Sequence, residues 1–284
     1  MDIYLVEAMI NGVLLGGVLA LLALGLNLIF GVIDVVWIAY ADIVMCGMYL
    51  LYLLYAGLGW PLLAACAVAI IASAAFGILV HLLIIEPILG SAPINQLLAT
   101  GGLLFFLQSF ATLIFGTDFR NLGIRLPIIE LGDIYISYAR LMAFAVALIG
   151  AVALYLFLKR TFIGTAIRAI AQDRDIIGLM GADQRRIYLF TSMIGGGLAG
   201  LAACLLALQY DVHPFIGNTF GPLIFMICVL GGLGDMIGGF VAAFVISQII
   251  AIGGYYANTE LSYVLAFTFF IVLMFVRPRG ILSR

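Results

Sequence analysis

Long, unbroken apolar runs decide what this chain can fold into. They fall at about 8–31, 36–56, 61–86, 94–116, 138–158, 187–209, 220–234, 237–255 and 260–276. A helix needs about 20 apolar residues to cross the hydrocarbon of a bilayer. Of the 284 residues, 66% are hydrophobic and 9% charged, whereas a soluble domain carries about a quarter charged residues. Such a chain cannot clothe itself in a solvated surface, so its solvent is lipid. The runs are continuous rather than alternating, which excludes a β-barrel. The expectation is an all-α, polytopic membrane helix bundle of about eight or nine spans, forming a single domain over 1–284. The count hangs on 220–255, which reads either as two spans joined at GGLGD or as a broken helix lining a cavity.

Orientation follows from where the basic residues sit. Six of the twelve lie in one loop: Lys159, Arg160, Arg168, Arg174, Arg185 and Arg186. Arg277, Arg279 and Arg284 close the chain. Both regions are expected in the cytoplasm, which places the N-terminus outside and favours nine crossings. Asp2 and Glu7 agree, and they stand where a cleaved leader has its positive region, so none is expected. Loop 117–137 runs against the rule, because it carries Arg120 and Arg125, although Asp118, Glu130 and Asp133 accompany them.

Several functions are excluded. The single lysine, Lys159, is followed by arginine, so the phosphate-binding G-x-x-x-x-G-K-[ST] loop is absent and the chain has no ATPase of its own. No basic stripe supports nucleic-acid binding. The four cysteines, Cys46, Cys66, Cys204 and Cys228, lie scattered in apolar runs without metal-site spacing. His81 and His213 stand apart from any nucleophile, and no cofactor or metal is expected in the chain. Small residues do recur at helix-packing spacing, at Gly12 and Gly16, Gly196 and Gly200, and Gly234 and Gly238. In lipid such stripes let backbones approach closely.

The loop at 159–186 is the one polar island. Ala166, Ile167, Ala169 and Ile170 make an apolar face on a short helix, leaving Arg168 and Gln172 outward. Asp173 is a candidate cap for a second short turn that Gly181 can end, and Asp183 can cap the next span. From pattern alone, this is equally an interfacial anchor. Acids inside apolar runs cost about 2.5–3.5 kcal/mol each on insertion scales. Asp42, Gln108 and Asp235 are therefore the candidates for lining a translocation path, with a purely structural role the alternative for Asp42.

The stretch KRTFIGTAIRAIAQDRDIIGLMGADQRR resembles the signature loop of branched-chain amino acid ABC transporter permeases. Arg160, Thr161, Gly164, Arg168, Ala169, Gln172, Asp173, Leu179 and Gly181 match its pattern in order. EPILGSAPINQLLATGG, VLGGLGDMIGGFVAAF and the closing RPRGIL resemble further segments of that family, so the likeness spans nearly the whole chain. It implies that Gly164, Arg168, Ala169, Gln172, Asp173 and Gly181 form a coupling element. It also implies partners: a second homologous permease, two cytoplasmic ATPase subunits that bind the ATP, and an external solute-binding protein, assembled on a bacterial or archaeal inner membrane. The substrate would be a branched-chain or related amino acid, or a small amide. Two departures bear on selectivity. Trp37 to Asp42 reads WIAYAD where the family commonly has N-F-A-H-G-E, and Gly221 to Phe225 reads GPLIF where a lysine is common. The competing reading is a secondary transporter or channel that uses Asp34, Asp42 and Asp235.

Overall fold

The computed structural model describes residues 3–124, 127–131, 134–172, 183–277 and 280. The first helix, α1 (Ile3–Ile33), is the axis of the bundle and is buried along most of its length. After it come α2 (Tyr40–Tyr52), which runs on through a π-helical turn at Leu53–Gly57, and α3 (Leu62–Val80), which continues through a second such turn to Ile88. Next are α4 (Pro93–Phe115), a hairpin of β1 (Ile128–Leu131) and β2 (Ile134–Ser137), α5 (Tyr138–Arg160) and the short α6 (Phe162–Gln172). The chain closes with α7 (Gln184–Ala207), α8 (Ile216–Gly231), α9 (Met236–Tyr256) and α10 (Thr259–Val276).

Among the described residues, eight helices are long and apolar enough to cross a membrane, and α8 is a shorter ninth. Its 16 residues rise about 24 Å. It nevertheless joins the two ends of the bundle, because Val212 just before it pairs with Arg120 in the loop after α4. Its far end meets Gly280 near the C-terminus. The region 220–255 is thus two helices with a glycine break between them. A second difference lies at 36–39, expected within a span but not helical, so the break after α1 runs over 34–39. Asp34 takes φ 59°, a left-handed conformation that stops α1, and α2 starts only at Tyr40.

Loop 117–137 also holds structure that hydropathy does not report. β1 and β2 pair antiparallel, with Ile129 opposite Ile136. Arg120 and Val212 exchange backbone hydrogen bonds of 2.9 and 2.7 Å, and Asn121 Nδ2 donates to Asp211 Oδ1 at 2.7 Å. The guanidinium of Arg120 donates to the Phe115 carbonyl at 2.6 Å and lies over the Tyr52 and Phe115 rings. These contacts tie one end of α2, α4 and α7 together as a cap.

The helices pack where side chains are small. α1 lies along α9, and a Cβ at Gly12 or Gly16 would stand 2.8 Å from Ala251 Cβ or 2.5 Å from Ser247 Oγ. α3 lies along α7, where a Cβ at Gly196 would reach the Ser73 carbonyl at 2.6 Å and one at Gly200 would reach Ser73 Cβ at 2.7 Å. Close backbone approach replaces the hydrophobic drive that lipid removes. His81 belongs to the α3–α7 contact: it is fully buried, with Nδ1 2.8 Å from Ser192 Oγ.

Candidate functional site

The break at 34–39 places a carboxylate in the interior. Thr100 Oγ1 on α4 donates to the Val36 carbonyl at 3.0 Å, and Tyr40 Oη donates to the Gly195 carbonyl on α7 at 3.0 Å. Held from both sides, the segment delivers Asp42 into the first turn of α2 with no exposed surface. Asp42 Oδ1 accepts from Gln108 Nε2 at 3.1 Å, and the same nitrogen donates to Asn218 Oδ1 at 2.8 Å. Gln108 lies two thirds of the way along α4, and Asn218 lies in the first turn of α8. Asp42 Oδ2 is buried with no hydrogen-bond partner.

No ion pair among the described residues involves Asp42. What favours its charge is backbone. It sits in the first turn of α2 and beside the first turn of α8, where a Cβ on Gly217 would lie 2.6 Å from Oδ1. Helix N-termini carry partial positive charge from unsatisfied N–H groups, and two of them meet at this carboxylate.

Two cavities flank the cluster. One, of about 460 Å³, is lined by Val36, Trp37, Ala41, Leu104, Gly217 and Phe225 among others, and is mostly apolar. The other, of about 570 Å³, is lined by Phe105, Gln108, Ser109, Thr112, Phe215 and Asn218. Asn218 belongs to both. The indole Nε1 of Trp37 is buried without a partner. Phe105 and Ser109 on α4, and Asn218 and Phe225 on α8, are exposed, so the two helices form the lips of a lateral cleft with Gln108 and Asn218 in its lining and Asp42 behind them.

Asp235 is elsewhere. It caps α9, accepting from the backbone N–H groups of Ile237 and Gly238 at 3.0 and 3.1 Å. With Asp34 and Ala171 it lines a separate polar cavity of about 350 Å³ at the end of α6. The structure brings Asp42 and Gln108 together and leaves Asp235 apart from them. Asn218 is the member that hydropathy reading misses, though an Asn within GNTFGP, at the edge of an apolar run, is a signal of its own.

α6 has the two-sided character its spacing predicts. Ile167 and Ile170 are buried, Ala169 is half-buried, and Arg168 and Gln172 are exposed. Gly164 sits on the end of α5, where a Cβ would stand 2.5 Å from Leu158 Cα. Its N–H donates to Thr161 Oγ1 at 3.0 Å. Asp173 and Gly181 lie outside the described residues. On the return, Asp183 caps α7 by accepting from the Arg185 N–H at 3.1 Å. Arg185 pairs with Glu86 at 2.7 Å, which ties this corner to the end of α3.

Eight membrane-length helices packed around a buried polar cluster between two cavities define a multi-pass membrane protein. The chain belongs to the family described as branched-chain amino acid transport system / permease component, which matches residues 8–274. It is 29% identical to the high-affinity branched-chain amino acid transport system permease protein LivH of Escherichia coli, over 99% of this chain and 96% of that one. It is 30% identical to the corresponding BraD of Pseudomonas aeruginosa, over 98% and 95%. A probable branched-chain amino acid transport permease LivH of Methanocaldococcus jannaschii is 34% identical over 32% of this chain and 30% of its own. No solved structure gives a significant match.

Proposed function

We propose that this chain is the permease subunit of an ATP-driven importer for branched-chain or related amino acids. The observation that carries the reading is α6, whose apolar face is docked on the bundle while Arg168 and Gln172 stay exposed. A short rigid helix held this way can pass a rigid-body motion from a soluble engine to the bundle. Separate ATPase subunits would bind the ATP and seat α6, and an external solute-binding protein would deliver substrate to the cap. A second homologous permease would close the lateral cleft between α4 and α8. Lipid would otherwise meet Asn218 and Ser109, and polar groups in hydrocarbon demand protein partners.

Exposed charge at a rigid interface mainly fixes register and specificity. Arg168→Glu should therefore leave the bundle folded but cut co-purification of the ATPase, and uptake in proteoliposomes, by about tenfold, the scale of one charged contact of about 1.4 kcal/mol. Wild-type capture and wild-type uptake together would reduce α6 to an interfacial anchor and favour the carboxylate-driven secondary transporter.

A further inference from the structure

We infer that the free oxygen of Asp42 is the docking point for a permeant's ammonium group, so that the permease itself discriminates by the amine. The inference rests on the permease reading and adds a recognition chemistry to its path. Asp42 is fully buried, and its Oδ1 is engaged by Gln108. Oδ2 has no donor at all. A buried carboxylate with one satisfied oxygen is incomplete, because buried charge is stable only when paired and hydrogen-bonded. No lysine or arginine among the described residues pairs with it, and two helix N-termini supply only partial charges. A primary ammonium, a compact cation with three donors, would supply the charge and the hydrogen bond that Oδ2 lacks.

Access has a structural basis. Gly217 lines the apolar cavity and also touches Asp42, since a Cβ there would lie 2.6 Å from Oδ1 and 3.0 Å from Cγ. Oδ2 is 3.4 Å from the same point, so Gly217, without a side chain, is the residue between the free oxygen and the cavity. The walls beyond are Val36, Ala41, Leu104 and Phe225, which suit a branched aliphatic side chain. Trp37 lines the same cavity and holds an N–H without an acceptor, a donor suited to the permeant's own carboxylate. One unmet donor in the apolar chamber and one unmet acceptor behind Gly217 complement a zwitterion with an aliphatic side chain. The ammonium would take Oδ2 while Gln108 keeps Oδ1 and Asn218.

Trp37 makes the inference measurable, because the chain has only two tryptophans, Trp37 and Trp60. In a Trp60→Phe background, full-length protein in nanodiscs is titrated while Trp37 fluorescence is followed. The probes are L-leucine, 3-methylbutylamine (its amine without the carboxylate) and 4-methylpentanoate (its carboxylate without the amine). L-leucine and 3-methylbutylamine should give saturable changes, and 4-methylpentanoate should bind at least tenfold more weakly. Asp42→Asn should weaken the amine at least tenfold, and Asp42→Glu should restore part of that loss. The comparison of probes on the unsubstituted site keeps the test valid if a position-42 variant does not fold. Equal binding of 4-methylpentanoate, no saturable response to the amine, or amine binding to a folded Asp42→Asn within twofold of the parent would each overturn the inference. None of these readings uses an ATPase or a receptor, so failure of the coupling proposal would leave them unaffected.

Discussion

Gly234 is fixed twice over. Its φ is +85°, in the left-handed region, and a Cβ would lie 2.9 Å from the Cα of Gly31 on α1. A side chain there would meet backbone, which cannot rotate away as a side chain can. Asn27 explains why this turn stays pressed to α1: its Oδ1 accepts from the Gly234 N–H and its Nδ2 donates to the Asp235 carbonyl, each at 3.3 Å. Gly238 is held as closely, because a Cβ would run into the carbonyl of Gly231. Overpacking of this kind costs about 1–3 kcal/mol. Gly234→Leu and Gly238→Leu should each lower the detergent melting midpoint by several degrees and reduce uptake. Wild-type melting and uptake in both would refute the close approach.

At the scale of elements, α4 and α8 carry the functional geometry, and neither is fully covered. Along α4 the exposed side chains include Leu98, Phe105, Ser109 and Leu113, and on α8 they include Asn218, Pro222 and Phe225. A second permease over this cleft would replace lipid at Ser109 but not at Val264 of α10, which is 56% exposed and lines neither cavity of the cleft. Spin labels at Ser109→Cys and Val264→Cys should separate the two sites. Oxygen collision, which rises with lipid contact, should drop severalfold at 109 on assembly and stay unchanged at 264. An unchanged value at 109 would mean the cleft faces lipid in the working complex. Much of this architecture was legible beforehand. The spans follow from hydropathy, the buried face of α6 from the spacing of Ile167 and Ile170, and the α7 cap from Asp183. The break after α1 is legible but cut short, since the next span is expected from 36, because Trp37 and Ala39 are as apolar as any helix. Val35, Trp37 and Ala39 are buried while Val36 and Ile38 are not, an alternation no helix face would give. Asp42 and Gln108 stood out as polar residues in apolar runs, but their union through Asn218 joins positions 66 and 110 residues apart. Only the packed helices bring them together.

For the whole molecule, the question is which end faces out. α8 carries the chain from the cap to the end that holds α6, α9 returns, and α10 comes back to place Gly280 against Gly232. Counted with α8, the nine apolar helices among the described residues would make nine passes and leave the termini on opposite faces. The N-terminal end of α1 packs against β2 at the cap, so cap and N-terminus share a side. Basic residues retain the cytoplasmic side, and on that ground we propose that the α6 end, with Lys159, Arg160, Arg168, Arg185 and Arg186, is the cytoplasmic one. Arg120 opposes that rule by sequence alone, yet its guanidinium is engaged by the Phe115 carbonyl and two aromatic faces. It works as a structural cation within the cap. Asn121 and Lys159 are exposed at opposite ends. With Cys46, Cys66, Cys204 and Cys228 replaced, a membrane-impermeant maleimide should label Asn121→Cys in intact spheroplasts. It should reach Lys159→Cys only after permeabilisation. The reverse pattern would turn the molecule over, put the cap in the cytoplasm, and remove α6 from the reach of any ATPase.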